Sequence, residues 1–293
     1  MKSYLYNLPG ENSWKRYMLS LVTMGAIFIA ASIFYGIAMA AYLWATGEDL
    51  SLIESFGVHH PMLDFALTML ADVFWILGLW FCIRVIHKRK FRTLITAGKR
   101  INWRQIFWAY GMFFFFMMVF QLIDYALFPS DISLNSVKWK DFLILLVLIM
   151  VLVPIQTTVE ELFFRGFLLQ WFGKKVRNPY ILAGIIAIIF GSMHFLNPEM
   201  ERSAIFVGLD YVFVGFMLTL LAVKMGGLEL SIGVHAANNM FLFIFFADDQ
   251  SVGGAIPSLF KVKNNDPVYS LLFDLCLFGL FYYLVWRKYR RQQ

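Results

Sequence analysis

Charge is what this chain has least of: Asp, Glu, Lys and Arg make up 15% of its 293 residues, against 60% hydrophobic and 18% aromatic. Soluble domains carry about 25% charged and about 45 to 50% apolar residues. That excludes a soluble fold, and a mean hydropathy of +0.67 marks a polytopic membrane protein. Cysteine is nearly absent as well. Cys82 and Cys276 both fall in apolar runs, so the sequence offers no disulfide framework and no thiolate metal site, and both are read as buried small hydrophobes. A His-Glu-x-x-His helix is missing, which excludes a zincin, and no Ser or Cys stands beside a histidine at a spacing suited to nucleophilic catalysis. No inverted repeat relates the two halves. Nothing resembles a nucleic-acid module, so the net charge of +6 is topological, a basic strip attracted to anionic lipid headgroups.

Long apolar runs are what the chain has instead. They cover roughly 18–45, 64–86, 105–128, 141–172, 180–196, 204–223, 228–247 and 267–286, each near or above the about 17 to 25 residues that a bilayer requires. The expected fold class is all-α, a polytopic transmembrane helix bundle of about eight spans. Lys and Arg cluster before the first run, between Arg84 and Arg104, after the fourth and sixth runs, and at the end of the chain; the opposite connections are mostly acidic. Because cytoplasmic loops carry the excess of Lys and Arg, both termini are expected in the cytoplasm of a prokaryotic cell membrane. The first run, preceded by Lys15 and Arg16 and ending Ala38-Met39-Ala40, has the look of a signal peptide, but it exceeds the about 7 to 15 apolar residues of an h-region and is read as a retained span.

Lesser features are given structural readings. His59 and His60 lack a third ligand at helical spacing and are assigned to a surface loop. Phe91, Leu94 and Ile95 among basic residues suggest a short helix lying on the membrane surface. Phe113 to Phe116 are packing or lipid-facing residues. Asp64, Asp72, Asp124, Asp210 and Asp274 lie in or at the ends of spans and either line a polar cavity, cap a helix or bond a neighbour.

The stretch from Thr157 to Phe172 breaks the apolar pattern. Glu160, Glu161 and Arg165 continue the run Phe142 to Val153 at membrane depth, where each ionisable group costs about 2.5 to 3.5 kcal/mol on insertion scales. Neighbours on a helix point about 100° apart, so the two glutamates face different ways, and Glu161 stands at i, i+4 with Arg165. Glu161 is therefore expected to be neutralised by Arg165, leaving Glu160 free. Pro154 is expected to kink or break the helix just before Thr157. Further on, Phe190 and His194 share one helical face, and so do His235 and Asn239, the second pair beside the small Ala236 and Ala237.

Glu160, His194, His235 and Asn239 thus sit on three spans. A Glu with a His can activate water and a His with an Asn can donate to a developing oxyanion, which together suffice for peptide hydrolysis. Alternatively Glu160, His194 and His235 can form a His₂Glu zinc site with a metal-bound water. Counted from the inner ends of their spans, Glu160 lies at about 18 Å and His194 at about 22 Å, with His235 shallower than either, so tilted or broken helices are needed to bring them level.

Glu-Glu-x-x-x-Arg with flanking Leu162, Phe163, Phe164 and Gly166, then Phe190-x-x-x-His194, then His235-x-x-x-Asn239, resembles the CPBP family, the CaaX prenyl endopeptidases and bacteriocin-processing enzymes also called Abi proteins. The resemblance covers roughly Thr157 to Phe241. It implies N-terminal transmembrane helices with a cytoplasmic loop over 1–140, a catalytic transmembrane core over 141–293, and an intramembrane endopeptidase, of metalloprotease or glutamate type, acting on a membrane-embedded or lipidated peptide or protein. Position by position it implies Glu160 and His194 on the water, His235 and Asn239 on the oxyanion, and Glu161, Arg165 and Phe190 in support. The metal-free scheme is preferred because Asn239 is a poor zinc ligand; in it His194 pairs with Glu160 and His235 with Asn239. The rivals are a proton-coupled transporter and a non-catalytic membrane scaffold.

Overall fold

The computed structural model describes residues 2–49, 61–254 and 256–289, so His59 and His60 lie outside it. Its helices are α1 (Lys2–Leu5), α2 (Trp14–Thr46), α3 (Pro61–Phe81), α4 (Trp103–Leu127), α5 (Trp139–Glu160), α6 (Leu169–Phe172), α7 (Pro179–Ser192), α8 (Ala204–Met225), α9 (Glu229–Phe245) and α10 (Pro267–Tyr289). A π-helix over Cys82–Ile86 extends α3, and another over Glu161–Leu168 joins α5 to α6. The chain is an all-α polytopic bundle. Among the described residues six helical runs are long and apolar enough to cross a membrane, while α7 and α9, at 14 and 17 residues, are shorter than the runs expected there. A small sheet of three short strands, β1 (Ile132–Leu134), β2 (Phe246–Ala247) and β3 (Phe260–Val262), in the order β1-β3-β2, ties the connections at one end.

Local chemistry sets the helix ends. Asn102, Asn178 and Ser203 accept backbone N–H bonds in the first turns of α4, α7 and α8, and Pro179 fills the first position of α7, where its missing donor costs nothing. Gly226 closes α8 in the left-handed conformation at φ 69°.

One of the two short helices forms the centre. α9 buries 11 of its 17 residues, whereas α2 buries five of 33 and turns most of its surface to lipid. Close approach makes that central position possible: a Cβ on Gly233 of α9 would fall 2.3 Å from the Ile106 carbonyl oxygen of α4. Gly191 plays the same part between α7 and Val212 of α8.

Several expectations need correcting. α5 continues through Pro154, and the departure from α geometry begins at Glu161, where the π-helix starts. Residues 84–104 form no surface helix. A 3₁₀ turn over Phe91–Leu94 pushes Leu94 and Ile95 into the core beneath the π-helix, so their apolar side chains face protein and not lipid. Cys82 is buried as expected, but Cys276 is exposed on the outside of the bundle. Of the four phenylalanines, Phe113 is fully buried against Phe278 and Phe281 while Phe115 faces out.

Candidate functional site

The Glu161–Arg165 pair has the expected form. Arg165 Nη1 donates to Glu161 Oε1 at 3.1 Å, and both side chains are fully buried. The guanidinium is held at every edge: Nε donates to Thr219 Oγ1 at 3.3 Å, Nη2 donates to the Gly215 carbonyl at 3.4 Å, and its face lies 4.1 Å from the Phe190 ring centroid. Below it, the Tyr4 hydroxyl donates to the carbonyls of Leu94 at 2.6 Å and Arg165 at 3.1 Å, anchoring the N-terminal segment to the π-helix.

His235 joins this pair to its neighbour. Nδ1 lies 2.9 Å from Glu161 Oε1, and a carboxylate already bound to an arginine only accepts, so Nδ1 carries the hydrogen. That leaves Nε2 facing Glu160, 3.7 Å from Oε2. Glu160 is the more open of the two carboxylates, with 20% of its side chain accessible against none for Glu161. Its other oxygen accepts from Gln156 Nε2 at 2.5 Å, and Gln156 Oε1 accepts from Asn239 Nδ2 at 3.2 Å. Asn239 in turn accepts from Asn238 Nδ2 at 3.2 Å. A chain of polar groups therefore runs from Asn238 to Arg165 across α9, α5 and the π-helix, hydrogen-bonded throughout except at the gap between Glu160 and His235.

Two expected pairings are corrected. The imidazole beside Glu160 is that of His235 and not that of His194, and Asn239 bonds Gln156 and not His235. The cause lies in the span geometry: α9 is short and central, so His235, only two turns from its start, already stands level with Glu160. His194 follows the end of α7, in a turn. Its Nδ1 is 2.8 Å from the Phe190 carbonyl, which can only accept, and its ring stacks on Tyr211 with centroids 4.3 Å apart. Phe190 links the histidines, its ring centroid 4.5 Å from His194 and 6.3 Å from His235, and Tyr211 is near enough to Glu160 to feel its charge. His194 thus belongs to the same neighbourhood without touching the carboxylate.

Sequence reasoning missed Gln156, Asn238, Tyr211 and Thr219. Gln156 carried a readable signal, since it lies four residues before Glu160 and shares its face. Tyr211 and Thr219 carried none, because single polar residues in an apolar span are common. Zinc is tested by the donor set. Both histidines give their Nδ1 hydrogens to acceptors, as metal ligands do. Yet among the described residues no three His, Cys, Asp or Glu side chains lie together closely enough to hold one ion, so Glu160, His194 and His235 do not fit a three-ligand zinc site in this arrangement.

Comparison with known proteins places this geometry in context. The pattern described as type II CAAX prenyl endopeptidase Rce1-like matches residues 139–241, the segment from α5 to α9 that holds the entire polar chain. The uncharacterized protein YyaK of Bacillus subtilis (strain 168) is 37% identical over 277 residues, covering 94% of this chain and 93% of that protein. No solved structure matches.

Proposed function

The chain belongs to the Rce1-like CAAX prenyl endopeptidases of the CPBP family, and from that premise we propose that it is an intramembrane endopeptidase in which Glu160 activates a water molecule. The observation that carries the reading is that Glu160 Oε2 and His235 Nε2 face each other 3.7 Å apart, too long for a direct hydrogen bond, which leaves both free to bond a water on the open side of Glu160. In the tautomer that gives Nδ1–H to Glu161, Nε2 of His235 presents a lone pair, so both groups facing the water are acceptors. Such a water donates one O–H to each and keeps its own lone pair free for a carbonyl carbon.

Attack then proceeds with Glu160 taking the proton as general base. Asn239 uses one amide hydrogen on Gln156, and its second is the donor assigned to the oxyanion. Glu161 and Arg165 fix the tautomer and orientation of His235 through a fully buried ion pair. His194, half-buried and braced by Phe190 and Tyr211, lines the approach. The substrate class is a membrane-embedded or lipidated peptide or protein, reached within or beside the bilayer and in contact with membrane lipids.

Cleavage of a quenched fluorescent membrane peptide by purified chain in proteoliposomes tests the activity, and no cleavage across a broad peptide set overturns it. The mechanism is metal-free in this reading. About one zinc per chain, with activity lost on chelation and regained on adding zinc, overturns that part. Both termini and the 84–104 connection are assigned to the cytoplasm from the Lys and Arg distribution. Labelling of Asn265→Cys only after permeabilisation would reverse that orientation.

A further inference from the structure

Of the aspartates in the spans, Asp64 accepts from Tyr35, Asp124 accepts from Gln121, and Asp210 and Asp274 bond each other, whereas Asp72 is left over. Asp72 lies on α3, three residues after Met69 and seven after Phe65, which pack in one cluster with Leu145, Ile149, Leu152 and Val153 of α5. Further along both helices, Trp75 meets Phe163 with ring centroids 5.5 Å apart. The two helices therefore run side by side in the same direction. Three residues back from Trp75 is Asp72, and three back from Phe163, at the junction of α5 and the π-helix, is Glu160, so each carboxylate stands about one turn from the ring contact. This register sets the two carboxylates at one level across the α3–α5 seam, near enough for their charges to interact. Asp72 is half-buried and has no hydrogen-bond or ion-pair partner among the described residues. An intramembrane carboxylate without a partner calls for a function.

Resting on the hydrolytic reading above, we infer that Asp72 is the general acid of the reaction, the group that protonates the departing amine. Two carboxylates in one poorly solvated site hold one proton between them more readily than two charges. The donors decide where it goes: Glu160 accepts a hydrogen bond from Gln156, whereas Asp72 has no donor and keeps the proton. The step balances. Water loses a proton to Glu160 and adds to the carbonyl carbon; the C–N bond breaks as its nitrogen takes the proton from Asp72; Glu160 then returns its proton to Asp72 through solvent. The result is one acid, one amine and the starting enzyme.

Leaving-group dependence tests the assignment, because an amine must be protonated to depart and an alkoxide much less so. A quenched peptide that the wild-type chain cleaves is made with either an amide or an ester at the scissile bond, and the ratio of the two rates is measured in proteoliposomes. This ratio does not depend on how much of a sample is folded. Asp72→Asn is expected to lower the amide-to-ester ratio by about 10²-fold or more, and Asp72→Glu to restore much of it. An unchanged ratio in Asp72→Asn overturns the inference while leaving the hydrolase standing. Should Asp72→Asn not fold, Asp72→Ser is read in the same way. Failure of the wild-type chain to cleave any peptide overturns both.

Discussion

Glu160 and Glu161 are adjacent and chemically identical, yet the regions on their two sides of His235 are built to opposite ends. On the Glu161 side everything is closed: a fully buried ion pair, a guanidinium bonded at each edge, and an aromatic face over it. On the Glu160 side the carboxylate is partly open, one oxygen bound to Gln156 and the other standing off from His235. A fully buried charge pair, held at each guanidinium nitrogen, resists change, and a partly open carboxylate is free to move a proton. His235 touches both regions and passes the rigidity of one to the chemistry of the other.

The hardest test of this contrast is Glu160→Gln. It should lower turnover by about 10³-fold or more, since the general base is lost, with little change in thermal stability. The Glu161→Gln change should instead strand Arg165 and cost about 3 to 5 kcal/mol, seen first as reduced yield and lower melting temperature. Adding Arg165→Met should recover part of that loss, a coupling that only a double-mutant cycle shows. Should a well-folded Glu161→Gln be inactive while Glu160→Gln cleaves normally, the two regions have been assigned the wrong way round.

A smaller effect is expected between the regions. Gln156→Leu removes the donor to Glu160 and the acceptor for Asn239, and should cost about 10-fold in rate for about 1 kcal/mol of stability. A rate unchanged in this variant would show that Glu160 does not depend on the amide.

The least effect is expected far from the site, at His87. Burial, and then the positive charges of Arg89, Arg16 and Lys174, lower its pKa from the usual 6.5 to about 4. Below pH 6.5 the unfolded chain takes up a proton that the folded chain refuses, so this stability is present above pH 6.5 and is lost as pH falls toward 4. In thermal melts, His87→Gln should flatten that decline, and an equal slope in both proteins would remove His87 as its source.

Most of the site's membership was legible in the sequence because it rests on local geometry. The i, i+4 rule paired Glu161 with Arg165 and freed Glu160, and rarity alone marked the intramembrane histidines. What was not legible depends on how helices stack. Which histidine meets Glu160 is set by how α9 packs in the bundle, where Gly233 lies against the α4 backbone, and no spacing rule reveals that packing. The inward turn of Leu94 and Ile95 was hidden for a related reason: apolar residues among basic ones look the same whether lipid or protein receives them. For the fold, hydropathy located all eight large helices but overstated α7 and α9, since loop residues flanking them are also apolar.

The π-helix from Glu161 to Leu168 carries one more residue per turn than the α-helix it interrupts. That surplus makes the segment sensitive to length as well as to the side chains of its ion pair. Losing any one residue there lets the backbone close again as an α-helix, turning Glu160 by about 100° relative to Phe167 and pulling the Arg165 carbonyl away from Tyr4. In a scan of single-residue deletions, the exposed connection at 263–265 should tolerate losses that 161–168 does not. The segment's length is thus a constraint of its own, separate from the ion pair that fixes Glu161 and Arg165 within it.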